Sequence, residues 1–203
     1  MRTIAIIDYG MGNVRSVQKA IEYVAPNDYC VLTNNLNTIA EADRVVFPGQ
    51  GAMGACMSAL NEHKLKEVIK KAAKEKPFLG ICLGLQLLFD FSEENNGTKG
   101  LSIIPGNVIK FKNNELKIPH MGWNKVKQIN NHPLWSKIED NSRFYSVHSY
   151  YVKEDNKSCV TGTTTYGIKF TSAIATDKLF AVQFHPEKSQ RDGLQLLKNF
   201  TNW

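Results

Sequence analysis

Four residues of this sequence could act as thiol nucleophiles, Cys30, Cys56, Cys82 and Cys159, but only one has the neighbours that such chemistry selects. Cys82 sits in Gly80-Ile81-Cys82-Leu83-Gly84, with a glycine two positions to either side. That spacing suits a nucleophile raised on a sharp strand-to-helix turn, where little room is left for neighbouring side chains and the helix N-terminus stabilises a thiolate. The other three cysteines fit the ordinary use of the residue as a small buried hydrophobe. A thiol nucleophile also needs a base, and usually a third group that orients it. Phe184-His185-Pro186-Glu187, at the end of an apolar strand, offers an imidazole with a carboxylate two residues on. Pro186 fixes the local chain so that Glu187 can turn back, hold the tautomer of His185 and favour its charged form.

Acyl transfer requires a place for the developing oxyanion. In Val46-Phe47-Pro48-Gly49-Gln50-Gly51 a strand runs into a loop whose glycines permit unusual dihedrals, so backbone N–H groups at Gln50 and Gly51 could join that of Leu83 in an oxyanion hole. Without Cys82 the same residues are a plain Pro-Gly turn. Two other patterns fail on context. Gly49-x-Gly51-x-x-Gly54 follows a strand like a dinucleotide fingerprint, but the next strand ends at Cys82 rather than at a ribose-binding acid. His185-Pro186-Glu187 has the H-x-E form of zinc deaminases, yet no P-C-x-x-C follows.

These residues need a scaffold, and the pattern predicts one. Strands are expected at 3–8, Tyr29 to Thr33, Arg44 to Phe47 and Phe78 to Ile81. Helices are expected at Val14 to Val24, from Met53 to Ala72 with a break near Asn61 to Lys64, and at Leu83 to Phe91. Alternation of this kind implies right-handed crossovers and a parallel sheet. Later β-rich runs at 108–112, 143–152, 158–165 and 168–184 read as antiparallel additions to the same sheet, before a closing helix at Gly193 to Phe200. Loops are expected at Asn95-Asn96-Gly97 and Asn113-Asn114, neither long enough to divide the chain. The fold class is therefore α/β: one domain, 1–203, with a central mixed, mostly parallel sheet flanked by helices and antiparallel additions in its C-terminal half.

Composition narrows the functions available. At 203 residues with 42% hydrophobic residues the chain can build a sizeable core. It has no apolar run of about 18 residues and no secretory leader pattern, so no membrane role and a cytoplasmic location are expected. The cysteines show no CxxC spacing or nearby histidine cluster, which favours free thiols over zinc or disulfides. No cofactor is implied. The net charge of +6 comes from scattered lysines or from the Lys64 to Lys76 helix, where glutamates interleave, so nucleic acid is not an expected partner.

Taken together, Gly80-Ile81-Cys82-Leu83-Gly84-Leu85-Gln86 and Gln183-Phe184-His185-Pro186-Glu187 resemble the class I (triad) glutamine amidotransferases. Further blocks resemble the glutaminase subunits of imidazole glycerol phosphate synthases: Asp8 to Asn13 with Ser16-Val17, Pro48 to Gly51, Pro119 to Asn124, Phe144 to Tyr150 and His185 to Ser189. The resemblance implies hydrolysis of glutamine to glutamate and ammonia. It also implies delivery of that ammonia to a (β/α)8-barrel partner, which makes imidazole glycerol phosphate and an aminoimidazole nucleotide. No barrel lies in these 203 residues, so the implied assembly is a heterodimer. By the same resemblance Cys82 is the nucleophile, His185 the base and Glu187 the orienting carboxylate. Gln86 and Glu94 match glutamine-contacting positions. Tyr145 to Ser149, including His148, matches a segment lining the glutamine pocket and the partner interface. Asn13, Trp123, Tyr145 and Lys188 match interface positions. Gln50 departs from the family, where valine is common. A loop acting through backbone N–H groups should tolerate the change, although its conformational equilibrium could shift. Three alternatives stay open: a paralogous glutaminase serving a sugar-modifying amidotransferase, a catalytically silent scaffold and, with less support, a cysteine peptidase.

Overall fold

The computed structural model describes residues 1–112 and 116–203, and the loop expected at Asn113-Asn114 lies outside them. The first half runs β1 (Thr3–Ile7), α1 (Val14–Val24), β2 (Tyr29–Thr33), α2 (Leu36–Glu41), β3 (Arg44–Gly49), α3 (Met53–Glu62), α4 (Lys66–Glu75), β4 (Phe78–Cys82) and α5 (Leu83–Gln86). Then come β5 (Phe91–Ser92), β6 (Thr98–Lys99), β7 (Gly106–Lys110), β8 (His120–Lys125), β9 (Lys127–Gln128), β10 (Arg143–His148) and β11 (Tyr150–Glu154). β12 (Val160–Tyr166), β13 (Ile168–Ala175), β14 (Leu179–Val182) and α6 (Gln190–Asn202) complete the chain.

The main sheet has the order β2-β1-β3-β4-β14-β13-β11-β7-β5-β6, with β12 branching from β13 and β9 pairing in turn with β12. Its first five strands are parallel, and β13 turns antiparallel against β14. β4 is buried on both faces because its side chains alternate between two cores. Phe78 packs with residues of α3 and α4, whereas Leu79 and Ile81 pack with residues of α1 and α6. α1 follows from spacing: Val14, Val17, Ala20 and Ile21 are its buried residues, and Asn13 caps it by accepting the Ser16 N–H.

Three expectations need correction. The helix after Cys82 ends at Gln86, not Phe91. The carbonyls of Leu87, Leu88 and Phe89 accept N–H groups from residues 101–104, so the chain bonds to that returning segment in place of a further helical turn. The run at 143–152 is not one strand of the main sheet. β10 pairs with β8 in a separate two-stranded sheet, the chain turns at Ser149, and β11 joins β7 and β13. The run at 168–184 is also two strands, β13 and β14. Beyond these, β3 continues through Pro48 to Gly49, and the short helix α2, with a single buried residue, had no visible periodicity.

Close packing at the end of β4 requires glycine. A Cβ on Gly84 would stand 1.9 Å from the Phe47 carbonyl oxygen, and one on Gly80 would stand 2.9 Å from the Ala181 Cβ. Gly84→Ala is therefore expected to destabilise the fold by about 3 kcal/mol, measured by urea unfolding, because rigid backbone has to move. A midpoint unchanged from wild type would contradict that packing.

Candidate active site

Strand pairing closes the long sequence gap between Cys82 and His185. β4 lies between β3 and β14, parallel to both, with Gly49 in register with Cys82 and Val182 with Ile81. The carboxyl ends of the three strands therefore meet at one edge, where open α/β sheets place their sites. Cys82 has φ 55° and ψ −112°, a strained conformation of the kind found at nucleophile turns. As the first residue of α5, Leu83 presents an N–H with no intrahelical partner beside the sulfur.

A cavity of about 470 Å³ opens at this edge. Cys82, Leu83, Gln86 and His185 line it, as do Gln50 and Gly51 from the loop after β3. Glu94, His148 and Ser149 complete the set of sequence-predicted residues found there. Glu94 has a second attachment, since its carboxylate accepts the Met53 N–H at 2.8 Å and so holds the start of α3.

His185 is 2% exposed, and its Nδ1 donates to Glu187 Oε1 at 2.8 Å. The other ring nitrogen, Nε2, is buried and makes no hydrogen bond of full geometry, but the Cys82 sulfur is near enough to act on the ring both as a charge and as an acceptor. Burial disfavours the imidazolium, but the Cys82 charge and then the Glu187 carboxylate outweigh it and raise the His185 pKa to about 10. The ring is thus charged at neutral pH and loses its proton only as pH rises through that value. Glu187→Gln removes an anion that stabilises the charged ring, so the titration midpoint should fall by about one pH unit or more, equivalent to roughly 1.4 kcal/mol. Histidine NMR titration would read this, and an unmoved midpoint would contradict the pairing.

The backbone pins His185 to β10. Its N–H donates to the Tyr145 carbonyl at 2.9 Å, the Ser189 hydroxyl donates to its carbonyl at 2.6 Å, and the Tyr145 N–H donates to that hydroxyl at 2.9 Å. Tyr145 therefore joins the base to an exposed cluster, in which the Trp123 ring lies 6.2 Å from its own ring and Lys188 Nζ lies 6.0 Å from its ring centre. Trp123 is 43% exposed and the adjacent Met121 61%. Asn13 stands apart from this cluster in its contacts, since its N–H donates to Gln50 Oε1 at 3.1 Å.

The Gln50 loop has further ties. The Tyr9 hydroxyl donates to the Pro48 carbonyl at 3.0 Å, and the Cys56 thiol lies 3.4 Å from the Gln50 carbonyl that accepts from it. Sequence reasoning missed Tyr9, Cys56 and Ser189 in these supporting roles. It also missed Gln183, whose amide nitrogen lies 3.9 Å from the Cys82 sulfur, although the residue sat inside a recognised motif.

Residues 5–203 match the family model described as glutamine amidotransferase class-I. The chain belongs to that family. Among relatives of the amidotransferase, the imidazole glycerol phosphate synthase subunit HisH of Nitrosomonas europaea is 53% identical, over 100% of this chain and 99% of its own. The protein of the same name from Thiobacillus denitrificans is 54% identical, over 98% and 91%. In fold, the amidotransferase is similar to a chain of the PurLQS structure from Thermotoga maritima, with a TM-score of 0.76 at 16% identity, covering 100% of this chain and 99% of that one. Among its described residues, no helix is long and apolar enough to cross a membrane, no group of three or more His, Cys, Asp or Glu could hold a metal ion, and the four cysteines are free.

Proposed function

We propose that this chain hydrolyses glutamine through a Cys82 thioester and passes the ammonia to a (β/α)8-barrel synthase subunit. In histidine biosynthesis that partner makes imidazole glycerol phosphate and aminoimidazole carboxamide ribonucleotide. The observation that carries the reading is a single cavity containing a strained cysteine and a buried imidazole backed by a carboxylate. The HisH name of relatives at 53% and 54% identity supports the pathway.

In this mechanism the Cys82 thiolate attacks the side-chain amide carbon, and the N–H of Leu83 with those of the Gln50–Gly51 loop stabilises the oxyanion. The His185 imidazolium gives its proton to the nitrogen as the C–N bond breaks, releasing ammonia and leaving the glutamyl thioester. Neutral His185 then takes a proton from water, and the hydroxide attacks the thioester. The C–S bond breaks, glutamate leaves and the thiolate–imidazolium pair returns. Gln86, Glu94, His148 and Ser149 supply the glutamine-facing wall. The exposed Trp123, Tyr145 and Lys188 cluster suits the partner interface, because aromatic anchors are favoured there.

Expression of this chain in a histidine auxotroph lacking the glutaminase subunit should restore growth. Absence of rescue by a protein with measurable glutaminase activity would point instead to a different ammonia acceptor.

A further inference from the structure

Outside the thiol and imidazole machinery, a pair of histidines is buried. His120 in β8 and His148 in β10 stand directly opposite each other, with His120 Nδ1 3.0 Å from His148 Nε2. They are 3% and 6% exposed, and Phe111, Tyr166 and Phe170 surround them.

Groups at the two ends of this pair determine where the protons lie. The Tyr150 carbonyl can only accept, so His148 Nδ1, 2.8 Å away, donates to it. At the other end, the Asn124 side-chain nitrogen donates to the Thr165 carbonyl at 2.9 Å and lies 3.2 Å from His120 Nε2, which therefore accepts. The middle bond must then run from His120 Nδ1–H to His148 Nε2. The reverse direction would set two lone pairs against each other at the Tyr150 end and two N–H groups against each other at the Asn124 end. Burial disfavours a charge on either ring and pushes His148 down to about 3, so both stay neutral near pH 7.

The chain of bonds continues to the nucleophile. Gln86 Nε2 donates to the same Tyr150 carbonyl at 3.1 Å and to Gln183 Oε1 at 3.0 Å, and Gln183 Nε2 lies 3.9 Å from the Cys82 sulfur. Its far end, Asn124, follows the exposed Trp123 on β8. Ser149 and Tyr150, where the chain leaves the small sheet for the main one, both line the cavity.

We propose that His120 and His148 are a positioning pair. Their directional hydrogen bonds set the Ser149–Tyr150 wall of the cavity and the Gln86 and Gln183 amides beside Cys82, and they link that wall to the β8 segment carrying Trp123. The reading of that cavity as a glutamine site rests on the function proposed above, whereas the proton arrangement does not. Buried polar chains of this kind are sensitive because removing one donor leaves a buried acceptor unmatched.

Two measurements test the pair. Nitrogen-15 histidine NMR of the full chain between pH 7 and 8 should show both rings neutral with the proton on Nδ1. Modification of Cys82 by diazo-oxo-norleucine should shift the His120 signals, although His120 does not line the cavity. In the complex with the barrel subunit, His120→Phe keeps the ring but removes both nitrogens. It should raise the KM for glutamine about tenfold with kcat within about twofold and leave ammonia-dependent synthesis unchanged. His120→Asn restores a donor near Nδ1 and should recover most of the loss. An Nε2–H tautomer on either ring, or an unchanged KM in folded His120→Phe, would overturn the proposal. If His120→Phe does not fold, the wild-type tautomers decide. Failure of the reagent to modify Cys82 even in the complex with the barrel subunit and its nucleotide, with the tautomers as described, would refute the glutaminase reading and leave the proton arrangement standing.

Discussion

Cys82→Ser in the assembled enzyme should lose glutamine-dependent synthesis by a factor of at least about 10⁴, while synthesis from added ammonia continues at the wild-type rate. The magnitude follows from the arrangement around the sulfur. The strained turn holds one nucleophilic atom at the end of β4, with the Leu83 N–H beside it and the buried imidazole lining the same cavity. A serine hydroxyl ionises far less readily and cannot form the same charged pair with His185. Ammonia supplied directly bypasses the thioester, so the partner's chemistry is untouched. Loss of both activities would show that Cys82 does more than generate ammonia, and retention of glutamine use would remove it from the mechanism.

The second large effect concerns the loop after β3. The chain alone should hydrolyse glutamine very slowly, the complex with the barrel somewhat faster, and the complex with the partner's nucleotide at least about a hundredfold faster than the chain alone. One oxyanion donor is worth on the order of 3 kcal/mol of barrier, which corresponds to that factor. The structure provides a loop whose position is set by few bonds. The Tyr9 hydroxyl holds Pro48, the Cys56 thiol holds the Gln50 carbonyl, and the Gln50 side chain accepts the Asn13 N–H. Gly51, at φ 93°, gives the backbone freedom to reorient between such ties. Equal rates under the three conditions would exclude the loop as a switch. Gln50 sharpens the point: a valine there could not accept from Asn13, so Gln50→Val should raise the unstimulated rate if that tie holds the loop in an unproductive position.

Much of this site was legible because strong local signals agreed with topology. The two glycines around Cys82, the apolar run before His185 and the alternation of strands and helices each have one simple physical reading, and parallel pairing of β3, β4 and β14 then brings their ends together. What was hidden depended on contacts distant in sequence. The helix after Cys82 reads apolar as far as Phe89, but its carbonyls are claimed by residues 101–104, which no periodicity reports. The corner at Ser149 lies within an unbroken β-rich run, and only pairing with different partners on each side splits it. His120 and Gln183 lay inside recognised motifs, yet their hydrogen-bond roles appear only when β8, β10 and the end of β14 are assembled. Glu94 was read as a substrate contact, and the structure adds its hold on the Met53 N–H.

The most direct test is to treat the protein with diazo-oxo-norleucine and map the adduct by peptide mass spectrometry, in wild type and in His185→Ala. A single adduct on Cys82, with Cys30, Cys56 and Cys159 unmodified and the reaction sharply slowed in His185→Ala, is the result predicted for an imidazole-activated thiolate. Modification at another cysteine, or an unaltered rate at Cys82 without His185, would contradict it.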